Sequence, residues 1–284
     1  MLAASGEAGY IREPFSVLHR RGVLDAPIPY WFPYLCTEND RPYLRPVRNM
    51  LAFRYANAAA IRTIRSPADV AKAGNDALHF ARYRQEGRRP LLKDPIAVFS
   101  AEWLAERFDM DVVVQIRHPA AFASSLKRYD WTHPFGDFLA QPLLMRDLLE
   151  PFEGEIREFA EHERSPFEQA ILLWRLIHHA IIGYRDRHPT WAFQRHEDVA
   201  AEPLATFEDL YARLGLAFTP AARAAVTSST DPSNPVEARD DRVLARDSRA
   251  SVWTWKQRLT AEEIERVRIE TEPIWKEFYS DGDW

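Results

Sequence analysis

A single cysteine, Cys36, stands among the 284 residues. That excludes an intramolecular disulfide framework and a cysteine-rich zinc site. Glycine is scarce at 10 residues, about half the usual share of roughly 7%. No two glycines are spaced to build a phosphate-cradling loop, so neither the dinucleotide fingerprint nor a Walker A motif is present. An excess of positive charge is also missing: 37 basic and 42 acidic side chains leave a formal net charge of −5, which supplies no electrostatic footprint for nucleic acid. There is no long apolar run. The most apolar stretch, Ala170–Ile182, is broken by Arg175, His178 and His179, so a bilayer-spanning helix is not expected. No charged-then-apolar signal opens the chain, and repeats and low-complexity tracts are lacking, so the expectation is a cytoplasmic protein without a membrane partner.

What is there is ordinary globular composition, 46% hydrophobic and 28% charged, with 20 prolines. Short apolar runs alternate with long helical patterns, the signature of an α/β fold with a parallel sheet flanked by helices. No composition shift marks a boundary, so residues 1–284 are expected to form one domain. The clearest strand is Asp111–Ile116, whose three consecutive valines suit burial on both faces. Weaker strands are expected at Gly9–Arg12, Pro90–Leu92 and Thr190–Gln194. Ser165-Pro166-Phe167-Glu168 reads as a capping box with proline in the first turn, opening a helix to about Ile182. Thr260-Ala261-Glu262-Glu263 is a second capping box, opening the last long helix. Pro119 opens a helix through Arg128, and Pro203–Leu214 forms another that Gly215 closes. Residues 231–247, rich in Pro, Asn, Asp and Arg, read as a long surface loop.

Each expected strand is followed by a polar cluster: Glu13-Pro14-Phe15, Lys93-Asp94-Pro95, Arg117-His118-Pro119, and Arg195-His196-Glu197-Asp198. In one parallel sheet all four would line its carboxyl edge, where open α/β sheets bind ligands. The plain alternative is four hydrophilic loops. Arg117 leaves a buried strand, precedes a proline-initiated helix, and has Ser125 eight positions on. Such an arrangement offers an anion a guanidinium fork, free helix N–H groups and a hydroxyl; a structural arginine tied to a carboxylate is the competing reading. His178 and His179, adjacent on a helix, point to different faces and do not chelate together, and no zinc-ligand spacing occurs. The aromatic stretch Pro29–Tyr34 reads as packed core in preference to an acceptor pocket.

The run Val113–Ser125, VVQIRHPAAFASS, resembles the 3′-phosphate-binding segment of sulfotransferases that use 3′-phosphoadenosine 5′-phosphosulfate (PAPS): an apolar strand, Arg-x-Pro, and a serine eight residues after the arginine. Arg195–Pro203, RHEDVAAEP, is similar to the family's Tyr-Glu-Asp-Leu…Asp-Pro element. Ser248–Leu259, SRASVWTWKQRL, looks like its cofactor-closing segment, and Glu13-Pro14-Phe15 like the Glu-Pro element of bacterial and carbohydrate members. The resemblance spans nearly the whole chain and rests on the order and spacing of its motifs. Departures are plain: Ala121 stands where an aspartate is common, Pro95 where cytosolic members place a histidine, and His196 where a tyrosine meets adenine.

The resemblance implies sulfuryl transfer from PAPS to a hydroxyl or amine of a small-molecule or carbohydrate acceptor, without a metal. In-line transfer at an anionic centre needs positioning, charge stabilisation and a general base. Glu13 is the first candidate for that base, Asp94 the second and His19 the third; a capping or salt-bridged carboxylate is the alternative for Glu13. Lys93 would stabilise the sulfuryl oxygens or the leaving phosphate. Arg117 and Ser125 would hold the 3′-phosphate, His196 would stack on adenine, and Ser248 and Arg249 would close over the nucleotide, with Arg246 as a helper. The family's Ser-Gly-Thr-Thr loop for the 5′-phosphosulfate is absent, and Met1–Ser5 looks like the end of the helix that comes after it. The implied fold is thus P-loop-like and lacks its first central strand, and the chain as given is expected to be catalytically dead or nearly so. A clipped enzyme and a non-catalytic nucleotide-binding or scaffold protein of the same fold are the two alternatives. A nucleotide-dependent kinase on a related sheet is a third, weaker alternative, for which the Walker lysine and a magnesium-binding serine are missing.

Overall fold

The computed structural model describes residues 1–236 and 247–284. It is a helix-rich α/β structure whose strands pair in parallel. All four expected strands form, with ends shifted by one or two residues: β1 is Ala8–Arg12, β2 Arg89–Lys93, β3 Val113–Ile116 and β4 Ala192–Arg195. The expectation of one parallel sheet is not met among the described residues: β1 pairs with β2, and β3 with β4, as two separate two-stranded sheets. Nor is β3 buried on both faces. Val112 precedes it, Val113 and Val114 are half-buried, and Gln115 is exposed. The valine run straddles the start of the strand, so it is no sign of double burial.

The chain groups into two compact units, Leu2–Met110 and Asp111–Trp284, with Met1 belonging to the second. In the first, β1 and β2 run in register from Ala8 opposite Arg89 to Arg12 opposite Lys93. Gly9 is required there, because a Cβ would meet Phe53 at 2.5 Å and Tyr83 at 2.8 Å. The core gathers Ile11, Phe15, Leu24, Met50 and Trp103. Helix α1, Arg41–Leu51, begins at the buried Asp40. That carboxylate accepts from Trp103 Nε1 at 3.1 Å and Arg107 Nε at 2.9 Å on α2, Ala101–Phe108, and so ties the two helices together. The expected packing of Pro29–Tyr34 holds for its middle: Phe32 and Pro33 are buried, the Pro33 carbonyl accepts from Ser100 Oγ at 2.6 Å, and Phe32 meets Phe99 edge-on.

In the second unit, β3 and β4 align from Val113 opposite Ala192 to Ile116 opposite Arg195. Helix α3, Pro119–Arg128, starts where expected, with His118 as its N-cap. Helix α4, Pro166–Arg187, opens on the complete capping box and runs a full turn beyond Ile182. Its last turn carries Arg185 and Arg187, which suit the negative end of a helix dipole. The alanines Ala120 and Ala123 of α3 let α4 approach closely through Ala170 and Ile171. Helix α5, His196–Ala201, comes directly after β4, and α6, Pro203–Arg213, is closed by Gly215 at φ +62. A left-handed residue just past a helix end favours glycine. Helix α7, Ala261–Trp275, opens on the second capping box and adds Val267 to the core shared by α3 and α4.

Candidate functional site

Parallel pairing brings the carboxyl ends of β1 and β2 side by side, and likewise those of β3 and β4. At the first edge Glu13 and Lys93 meet, Lys93 Nζ donating to Glu13 Oε1 at 2.5 Å. The Glu13 amide also donates to the Lys93 carbonyl at 2.9 Å. Arg12 Nε lies 3.9 Å from the same carboxylate. The pair is part-exposed, so its worth to stability is only about 0–1 kcal/mol. Its geometry is more telling: Glu13 takes φ +47, a left-handed conformation costing a non-glycine residue about 1–3 kcal/mol. The turn is therefore held by its surroundings.

Asp94 supplies much of that hold. Its Oδ2 accepts from the Phe15 amide at 2.7 Å and its Oδ1 from the Ile96 amide at 2.9 Å, so both oxygens are committed to backbone. That makes it the N-cap of the short helix Pro95–Ser100 and a brace for the Glu13 turn, beside its place as second candidate for the acceptor-side base. Burial pushes its carboxyl up to about 6; the Phe15 and Ile96 amides pull the other way, Glu13 adds to the rise and Lys93 opposes it. His19 is also committed, with Nδ1 2.9 Å from the Ser16 carbonyl and Nε2 3.1 Å from the Ala26 carbonyl. Burial lowers its pKa.

At the second edge Arg117 stands just past β3, half-buried, its carbonyl accepting from Trp174 Nε1 at 2.9 Å. Next to it, His196 opens α5 and its Nδ1 lies 3.3 Å from Gln115 Nε2 of β3. Ser125 is half-buried on α3, six residues beyond Pro119, which is about 9 Å along a helix axis. Ser248 opens the short helix Ser248–Ser251 beside α5, and its Oγ is buried with no hydrogen-bond partner among the described residues. Arg249 stands at the far end of α5 from His196, donating to the Ala201 carbonyl from Nε at 3.1 Å and Nη2 at 2.6 Å. Arg246 lies outside the described residues, as does most of the expected 231–247 loop. His178 and His179 have different neighbours, Trp174 for the first and Phe152 for the second, as their adjacency on one helix requires.

Sequence reasoning places Glu197, His118 and Arg195 in the polar clusters after the strands but assigns them no role in fixing this second edge. Glu197, buried on α5, accepts from the His118 amide at 3.1 Å and from Tyr279 Oη at 2.9 Å. His118 is 1% exposed, stacked on Trp255 at 4.9 Å and met edge-on by Trp284 and Tyr279. Its Nδ1 accepts from the Ala120 amide at 3.3 Å, and burial drops its pKa to about 3, so it stays neutral. Arg195 donates to both oxygens of Asp283 at 3.0 and 3.3 Å and lies over the Tyr279 ring. A glutamate close behind a strand is visible in the sequence, but its partners lie about 80 residues away and no local pattern announces them.

No family model matches the chain, and no curated protein is similar to it. Among solved structures it is similar to a "Sulfotransferase Domain from the Curacin Biosynthetic Pathway", at 14% identity over 93% of this chain and 96% of that one, with a TM-score of 0.40. That likeness is too slight to transfer any role to this chain. Among the described residues, no helix is long and apolar enough to cross a membrane.

Proposed function

We propose that this protein binds 3′-phosphoadenosine nucleotides at the edge carrying Arg117 and transfers a sulfuryl group from PAPS to a hydroxyl or amine acceptor. The observation that carries the reading is the strand–Arg117–His118–Pro119–helix turn, with α3 starting at Pro119 and His196 beside it at the end of the paired strand. A guanidinium at such a strand end, beside a helix start, suits a phosphate. The Ser248 Oγ, buried and unpartnered among the described residues, fits an added acceptor such as a phosphate oxygen. On the other edge, Glu13 is the base and Lys93 the cation for the sulfuryl oxygens. Lys93 and Glu13 share a proton-bearing contact at 2.5 Å, so an anion that draws Lys93 away leaves the carboxylate free to accept a proton.

The test is calorimetric titration with 3′-phosphoadenosine 5′-phosphate. Wild type should bind, and Arg117→Ala should lose about 1.5–3 kcal/mol, a charge-assisted contact, which is roughly 10- to 150-fold in affinity. Equal affinity in the two proteins would remove Arg117 from the site, and no binding by wild type would sink the nucleotide reading. A non-catalytic binding role for the same fold predicts the same titration without turnover of PAPS on any acceptor.

A further inference from the structure

We propose that Asp94 is a positioning residue, a two-handed carboxylate latch that fixes the Glu13–Phe15 turn and that lets go of one hand when a proton binds. A carboxylate accepts through both oxygens, whereas a protonated carboxyl turns one oxygen into a hydroxyl donor. Facing two amide donors, at Phe15 and Ile96, the neutral form holds only one at full strength, because its hydroxyl oxygen is the weaker acceptor. The other end of the turn is held by the Glu13 amide on the Lys93 carbonyl and by the Lys93–Glu13 ion pair. Releasing Phe15 therefore loosens a left-handed Glu13 that its surroundings alone keep in place.

The charged groups bearing on Asp94 are Glu13, at the end of β1, and Lys93, at the end of β2. Arg12 reaches the Glu13 carboxylate, and His19 in the same loop is tied to the Ser16 and Ala26 carbonyls. Asp94 changes charge close to neutrality, its carboxyl standing at about 6, so the latch opens over the range just below physiological pH. Its consequence for turnover rests on the proposed role of Glu13. The latch itself does not, because the Phe15 and Ile96 amides report it whether or not sulfuryl is transferred.

The experiment is amide NMR of the full chain across about pH 4.5–8, a span bracketing the carboxyl's midpoint. An amide bonded to a carboxylate loses its downfield displacement when that carboxylate is protonated. Phe15 and Ile96 should therefore move together with one midpoint near pH 6, and the movement should vanish in Asp94→Asn, which mimics the neutral form. In Glu13→Gln the midpoint should fall, since Glu13 helps hold it up. That second arm decides the matter if Asp94→Asn does not fold. Amides that titrate separately, a titration that survives in Asp94→Asn, or an unmoved midpoint in Glu13→Gln each overturn the proposal.

Discussion

Glu13 and Asp94 are both carboxylates at the end of a strand pair, and the contacts around them separate their work. Each oxygen of Asp94 accepts a backbone amide, so taking a proton weakens a contact that holds the turn. Glu13 shares its carboxylate with two cations, Lys93 at 2.5 Å and Arg12 at 3.9 Å, and neither contact is a buried, rigid one. A carboxylate held by exposed cations is handed to a substrate at less cost to the fold than one holding backbone. Replacing Glu13 with Gln keeps its size and removes its basicity. On the proposed function, in a form that carries the 5′-phosphosulfate loop, sulfuryl transfer from PAPS should then fall by about 10²–10⁴-fold, the scale of general-base catalysis, with affinity for 3′-phosphoadenosine 5′-phosphate unchanged. Turnover equal to wild type would return the role to another group. Arg249, expected over a nucleotide, donates to the Ala201 carbonyl at the end of α5, a contact it would give up to reach a phosphate.

Helices are legible where their signals are local. Both capping boxes form with both of their hydrogen bonds, at Ser165 with Glu168 and at Thr260 with Glu263, because a cap needs only four consecutive residues. Each is then braced by a cation from a neighbouring helix, Arg266 on Glu168 and Lys127 on Glu263, which links α4 to α7 and α7 to α3. Ser165→Ala should cost about 0.5–2 kcal/mol, read as a lower midpoint in urea unfolding at unchanged slope. A cost near zero would mean that Arg266, not the serine, secures the helix start. Strands are legible as runs, and all four form, but their partners are not. Pairing β1 with β2 and β3 with β4 joins residues about 80 apart, and nothing in a five-residue run states which neighbour it takes. The same holds for the second edge of the site. Arg117 and His196 are visible beside their strands, while the Glu197–Tyr279 and Arg195–Asp283 contacts that brace that edge depend on chain returning from beyond the far C-terminal helix.

At the scale of the whole chain, burial of titratable groups gives the two units opposite responses to acid. In Asp111–Trp284, burial holds His118, His133 and His178 down to about 3, against about 6.5 in an unfolded chain. Between those values the unfolded state binds more protons, so the stability these neutral imidazoles contribute is complete above about 6.5 and is lost as pH falls toward 3. Each accounts for about 1.4 kcal/mol per pH unit in mid-range, roughly 4 for the three. In Leu2–Met110 the part-buried His19 has that same sign, but the carboxyls of Asp94 and Asp76, raised by burial, run the other way. Asp94 sits at about 6 against an ordinary value of 3.8, so there the folded state binds the extra proton. Its contribution is complete below about 3.8 and is lost as pH rises through 6, about 3 kcal/mol in all. Acidification from about pH 7 to 5 should therefore loosen the second unit while sparing or firming the first. Hydrogen exchange read by mass spectrometry resolves the two, because peptides from each report separately. Protection factors, corrected for intrinsic rates, should fall in α3 and α4 and hold or rise in β1 and β2. His178→Phe keeps a ring against Trp174 and removes one titration, so the acid loss in α4 should shrink by about a third. A uniform loss across both units, or an identical loss in His178→Phe, would show that the buried imidazoles do not set the acid response.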